Sequence, residues 1–191
     1  DCIVAEMLCA AITRVLKDGI ALGLKDKLIM GSNGTDAVAI EAAGSELCEG
    51  VRGEIMSYVT AEDEEAHPEM ARMGEIVHKY YPGARMPLRS NIGGWAGIGV
   101  VKTAVDAIKV ALEKVGYEKI DGQAVYDALT SGATFDPIFV PPVSFSKEVT
   151  YGNHQVCMAQ WRNGDLHLIE RSECKHVSPA ENAEIVKMMR K

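Results

Sequence analysis

Apolar positions in this chain come first as short runs and then at helical spacing, and the two patterns alternate. Ile3-Val4-Ala5 is a strand-like run, and Ala10 to Leu22 places Ala11, Ile12, Val15, Leu16 and Ile20 on one helical face before Gly23 closes the helix. Leu28-Ile29-Met30 reads as a second short buried strand. It runs into the loop Gly31 to Gly34, whose glycines permit backbone conformations closed to other residues, and then into Thr35-Asp36, which start a helix that continues through Val38 to Ala43. Cys48 to Thr60 has the β-branched and aromatic content of a third strand. Strand-helix alternation of this kind predicts a parallel sheet covered by helices.

The second half changes character. Pro68 to Tyr80 carries Met70, Met73, Ile76 and Val77 on one side of a predicted helix, a stripe expected to enter a core. Trp95 to Val115 reads as a long apolar helix and Gly122 to Thr130 as a short one, joined by a polar turn. Glycines 93, 94, 97 and 99 crowd the start of the long helix, where another backbone or a ligand can come close. From Phe135 the pattern turns to β, ending in two alternating runs joined by Asn163-Gly164, a hairpin signal. Ser178-Pro179-Ala180-Glu181 has capping-box spacing and predicts a terminal helix over 181–191.

Composition narrows the function classes. The chain has 191 residues, 47% of them hydrophobic, enough to build one large domain or two small lobes. A net charge of -7 argues against a nucleic-acid partner, since phosphate binding relies on clustered Lys and Arg. The acidic run Glu62-Asp63-Glu64-Glu65 reads as a solvated linker or a helix start. Charges interrupt every segment approaching the roughly 18 apolar residues that a membrane span needs. The opening at Asp1 without an initiator Met is what a processed or truncated start would give.

Candidate chemistry is sparse. The five cysteines, Cys2, Cys9, Cys48, Cys157 and Cys174, show no zinc-ligand spacing, so no metal or other cofactor is expected. Cys2, Cys9 and Cys157 lie in apolar surroundings, where a small buried hydrophobe is the usual role. No P-loop, G-x-S-x-G or H-E-x-x-H occurs, and His67, His78, His154, His167 and His176 lack a partner motif. Asp1 and Glu6 read as surface or cap residues rather than an acid and base pair. No catalytic residue is therefore expected, and the chain reads as a non-enzyme.

The order of six blocks is more informative than any of them alone. "DCIVAE", "LKDGIALGLKDKLIMGS", "ELCEGVRGEIMSY", "GGWAGIGVVKTAVDAIKVALEKVG", "PPVSFSKE" and "VCMAQWRNGDLHLIE" together cover about residues 1 to 170. In that order they resemble the C-terminal half of the type I solute-binding proteins of ABC transporters, the branched-chain amino acid and extracellular ligand-binding receptor family. The resemblance implies an α/β fold of Rossmann-like parallel-sheet lobes, incomplete in this chain. Residues 1–60 would form strand and helix units of the second lobe, 61–138 would return to the first lobe, 139–170 would close the second lobe, and 171–191 would be a C-terminal tail with a helix.

The same resemblance implies the site and the partners. Ligand contacts are expected at Met7, Leu8, Asn33, Gly34 and Trp95, with a hinge near Ser57 to Ala61. In amino-acid binders of the family the loop matching Gly31 to Gly34 supplies a carboxylate for the ligand's ammonium group. Asn33 stands at that position here, with Asp36 the alternative, and a neutral amide offers hydrogen bonds without a compensating charge. Leu8 stands where a leucine binder would carry an aromatic. Trp95 is read as either an apolar wall for the ligand or a core anchor. The implied partners are a small apolar ligand, a membrane permease, and either the missing N-terminal half or another chain; the implied location is periplasmic or extracellular. Two other readings remain open: a ligand-sensing receptor or regulator of the same fold, and a nucleotide-binding α/β enzyme, which would need a G-x-G-x-x-G after a strand.

Overall fold

The computed structural model of the chain describes residues 2–7, 9–31, 35–83 and 92–173, excluding the side chains of Cys9 and of residues 92–96. The alternating first part folds as the pattern predicts. Strand β1 (Ile3–Ala5) leads to α1 (Cys9–Ala21), β2 (Leu28–Met30) to α2 (Ala37–Gly44), and the chain then enters β3 (Arg52–Ile55). At the end of α1 the Leu24 N–H donates to the Gly19 carbonyl at 2.8 Å and the Gly23 N–H to that of Ile20 at 3.0 Å, so glycine closes the helix as expected. Asp36 caps α2 by accepting from the Val38 N–H at 2.8 Å.

β1, β2 and β3 pair in parallel, with Ile3 opposite Leu28 and Ile29 opposite Arg52. Two late strands, β6 (Gln155–Arg162) and β7 (Asp165–Glu173), form the predicted hairpin through Asn163 and Gly164, both at positive φ. β6 then adds antiparallel to β3, giving a five-stranded sheet of order β1-β2-β3-β6-β7. Its core joins Ile12 and Leu16 of α1, Ile40 of α2, and Met30, Ile55 and Trp161 of the strands. The buried indole satisfies its N–H on the Ser45 carbonyl at 3.1 Å.

Between β3 and β6 the chain makes an excursion through α3 (Ala61–Ala66), α4 (Pro68–Tyr80), α5 (Ile92–Val115) and α6 (Gly122–Leu129). Strands β4 (Ser131–Phe135) and β5 (Val143–Ser146) follow, forming a separate two-stranded ribbon. This excursion buries only small clusters, one around Tyr58, Met70 and Phe139 and one around Ala107, Phe135 and Val143. Met70, Met73 and Val77 of the α4 stripe enter the first of these, as their spacing predicts, whereas Ile76 stays exposed. On α5, Val100 and Val101 stay 69% and 64% exposed.

Several expectations need correction. The third strand is only four residues long rather than running from Cys48 to Thr60, because residues 45–50 form turns and the chain bends away after Ile55. The β pattern begins at Ser131, before Phe135, and is broken at Ile138, which sits at φ 73, before it resumes at Val143. Of the two readings of the acidic run the helix start holds, since it forms α3, although its Asp63 is only 3% exposed. Cys2 is exposed rather than buried, while Cys157 is buried as expected. β7 continues to Glu173, past the point at which the tail was expected to begin. The helix expected over 181–191 lies outside the described residues.

Candidate functional site

Three parallel strands bring three chain exits to one edge of the sheet. Glu6 and Met7 follow β1, Gly31 follows β2 and Met56 follows β3, so all leave from the carboxyl ends of neighbouring strands. Open α/β sheets bind ligands at such an edge. Met7 and Met56 are exposed there, giving the edge an apolar and deformable surface. The expected contacts Leu8, Asn33 and Gly34 belong to these exits but lie outside the described residues. Trp95 is in the first turn of α5, with its side chain outside them too.

The loop after β2 is anchored at both ends. Its Gly31 N–H donates to the Ala5 carbonyl at 2.9 Å, extending the pairing of β1 with β2, and the Thr35 N–H returns to the Gly31 carbonyl at 3.0 Å. The Thr35 hydroxyl reaches the Gly31 carbonyl at 3.1 Å and that of Met30 at 3.3 Å. Thr35 is 1% exposed and rests on β3 at Gly53, where a Cβ would collide with its hydroxyl oxygen. A Cβ at 31 would displace the Glu6 carboxylate, the movable end of its side chain. Thr35, read only as a helix start, locks the base of the loop. Asp36, the alternative carboxylate, is engaged as the α2 cap.

The exit from β3 is tied more heavily. Ser57, Tyr58, Val59 and Thr60 are all buried. Thr60 and Asp63 form a reciprocal capping box at α3, in which one Asp63 oxygen accepts from the Val59 and Thr60 N–H groups, both at 3.1 Å, and from the Thr60 hydroxyl at 2.8 Å. Its other oxygen receives the Arg171 guanidinium at 2.6 Å. Burial raises the Tyr58 hydroxyl above its ordinary pKa, although the nearby guanidinium works against this. Burial also pushes the Glu62 carboxyl up, but the Leu168 N–H and the His167 ring, each at 2.9 Å, outweigh it and hold the group at about 2. His67, His154 and His167 thus have structural partners: the Tyr58 ring, Ser144 and Glu62.

With this geometry in place, comparison with known proteins becomes decisive. A family model described as "Periplasmic binding protein" matches residues 1–165. The chain belongs to the periplasmic binding protein family. Solved structures share its fold. A branched-chain amino acid ABC transporter protein from Thermus thermophilus with bound valine superposes with a TM-score of 0.73 at 21% identity, over 90% of this chain and 46% of that one. A leucine binding protein from Thermotoga maritima gives 0.62 at 15% identity, over 90% and 44%. A fatty acid ABC transporter substrate-binding protein from Thermomonospora curvata gives 0.70 at 15% identity, over 91% and 43%. The chain therefore spans less than half the length of each. No curated protein matches it. The fold class is thus the type I periplasmic binding protein fold, incomplete in this chain.

Among the described residues, no group of His, Cys, Asp and Glu could hold a metal ion, and no helix is long and apolar enough to cross a membrane. An apolar cavity of about 350 Å³ lies between α5, the end of α6 and β5, lined by Val100, Ala104, Leu129, Val140 and Phe145.

Proposed function

We propose that the chain is part of the solute-binding component of an ABC importer, which captures a small apolar ligand by closing two lobes over it. The observation that carries this reading is the convergence of three parallel-strand exits, with an anchored glycine-bracketed loop among them, in a member of the periplasmic binding protein family. The ligand is a branched-chain or aromatic amino acid or a related carboxylic acid, in keeping with the valine, leucine and fatty acid named for three proteins of this fold. Met7, Leu8, Asn33 and Gly34 meet it from one lobe and Trp95 from the other.

In this reading residues 1–60 and 139–170 form the second lobe, and 61–138 return to the first. The sheet, built by β1–β3 and β6–β7, supports the departure near residue 60, while β5 pairs with β4 and packs with Ala107 and Phe135, so that 143–146 keep company with the excursion. The apolar face of α5 is then covered by the part of the protein that its relatives have and this chain lacks. The importer's permease is the further partner, the location is periplasmic or extracellular, and the role is binding without catalysis.

Calorimetric titration of the full-length protein with valine, leucine, phenylalanine, 4-methyl-2-oxopentanoate and palmitate tests this. Trp95→Ala should weaken the bound ligand by about 1 to 3 kcal/mol, the range for losing a desolvated aromatic wall. Asn33→Asp should shift preference toward ligands with a free ammonium group by supplying a charge. If both variants bind all five ligands as the parent does, the site lies elsewhere.

A further inference from the structure

The chain leaves the sheet at 57–60, and one hydrogen bond joins this passage to the segment between β4 and β5: the Tyr58 N–H donates to the Phe139 carbonyl at 2.8 Å. Tyr58 also packs with Met70 and Phe139 in a cluster of the excursion, while His67 stacks on its ring at a centroid separation of 4.1 Å. Arg171 reaches this ring from the other side of the junction. It stands on β7, an edge strand of the sheet, with its guanidinium carbon 4.7 Å from the Tyr58 ring centroid and a nitrogen 2.6 Å from Asp63.

That arrangement links three parts through one side chain. Asp63 has both oxygens engaged at 3% exposure, three donors from residues 59 and 60 on one and the guanidinium on the other. A buried carboxylate held this way depends on its cation, because removing one partner strands the other charge. A planar guanidinium can stack on an aromatic face while hydrogen-bonding at its edge, which an ammonium cannot do equally. We infer that Arg171 is a positioning residue, which fixes the exit from the sheet at 57–60, and through Tyr58 the segment between β4 and β5, relative to the sheet and so sets the arrangement from which the lobes close on ligand. The inference rests on the closing-cleft reading proposed above.

Double electron–electron resonance on the full-length protein tests it, with nitroxides carried by unnatural keto side chains at positions 17 on α1 and 114 on α5. Two variants are compared, Arg171→Met and the charge-preserving Arg171→Lys. The ligand-free distance distribution broadens in both, while Arg171→Lys keeps the parent's melting temperature because its ammonium still neutralises Asp63. Valine affinity falls about tenfold if the closure-competent fraction drops to about a tenth. A parent that closes with valine, leucine or palmitate while both variants keep its ligand-free distribution overturns the role of Arg171 alone. A parent that holds one distance with all three ligands overturns the closing-cleft reading and any part for Arg171 in closure with it.

Discussion

The sheet and the helical excursion answer the same physical demand in different ways. In the sheet, apolar residues from both flanking helices and all the long strands meet in one continuous core, with Trp161 at 1% exposure and its N–H satisfied. In the excursion, α4, α5 and α6 gather a few buried residues at a time, and α5 leaves Val100, Val101, Val105 and Ile108 exposed. An amphipathic helix gains most of its stability from what its apolar face packs on. The sheet therefore carries its own partner surfaces, whereas the excursion leaves an apolar helix face exposed.

The largest test of that contrast is at Trp161. Trp161→Ala should cost about 3 to 5 kcal/mol in denaturant unfolding, as expected for emptying a large buried site. A loss below 1 kcal/mol would mean that the sheet core is not the continuous unit described. Gly53→Ala comes next: forcing a methyl group onto Thr35 should cost about 1 to 3 kcal/mol by overpacking. Thr35→Ala in the same protein should recover part of it, measured by the same unfolding curves.

A smaller effect is expected at the seam between α3 and β7. Because the folded Glu62 carboxyl sits at about 2, below its ordinary 4.5, its contribution is fully present above pH 4.5 and is lost as pH falls toward 2. Its side chain is exposed enough that this contribution should stay below about 1 kcal/mol. Glu62→Gln should flatten the stability profile across that window, and an unchanged profile would remove Glu62 from the account. The smallest stability effect belongs to α5. In the isolated 191-residue chain, Val101→Glu with Val105→Glu should change stability by no more than about 0.5 kcal/mol, as at an uncovered surface. The same pair should reduce self-association in sedimentation velocity. A loss above 1 kcal/mol would show that the face is already packed.

Much of the fold could be read directly from periodicity, because β1, α1, β2, α2, α4 and the β6–β7 hairpin each follow one uninterrupted local rule. The boundaries went astray where a distant contact decides the local structure. β3 stops at Ile55, beyond which the Tyr58 N–H goes to Phe139, and Asp63 of the acidic run is buried where Arg171 arrives from β7. The candidate site was visible as a glycine-bracketed loop after a strand. Thr35 escaped because its importance depends on Gly53, a residue on another strand with no local signature. Asp63 and Arg171 escaped for the same reason: a charged residue in sequence carries no mark of the partner that allows it to be buried.

The pairing of β3 with β6 has a consequence for how the molecule is made. Gln160 lies 108 positions beyond its partner Arg52, and everything between them is the excursion. Contacts so far apart in sequence form late, after the intervening chain has lost its freedom. On the ribosome, β3 waits with one bare edge until the closing hairpin emerges, and an unpaired strand edge is a template for another chain. The excursion thus acts as a delay in synthesis, and the time taken to make it sets how long the nascent sheet remains open to misassembly.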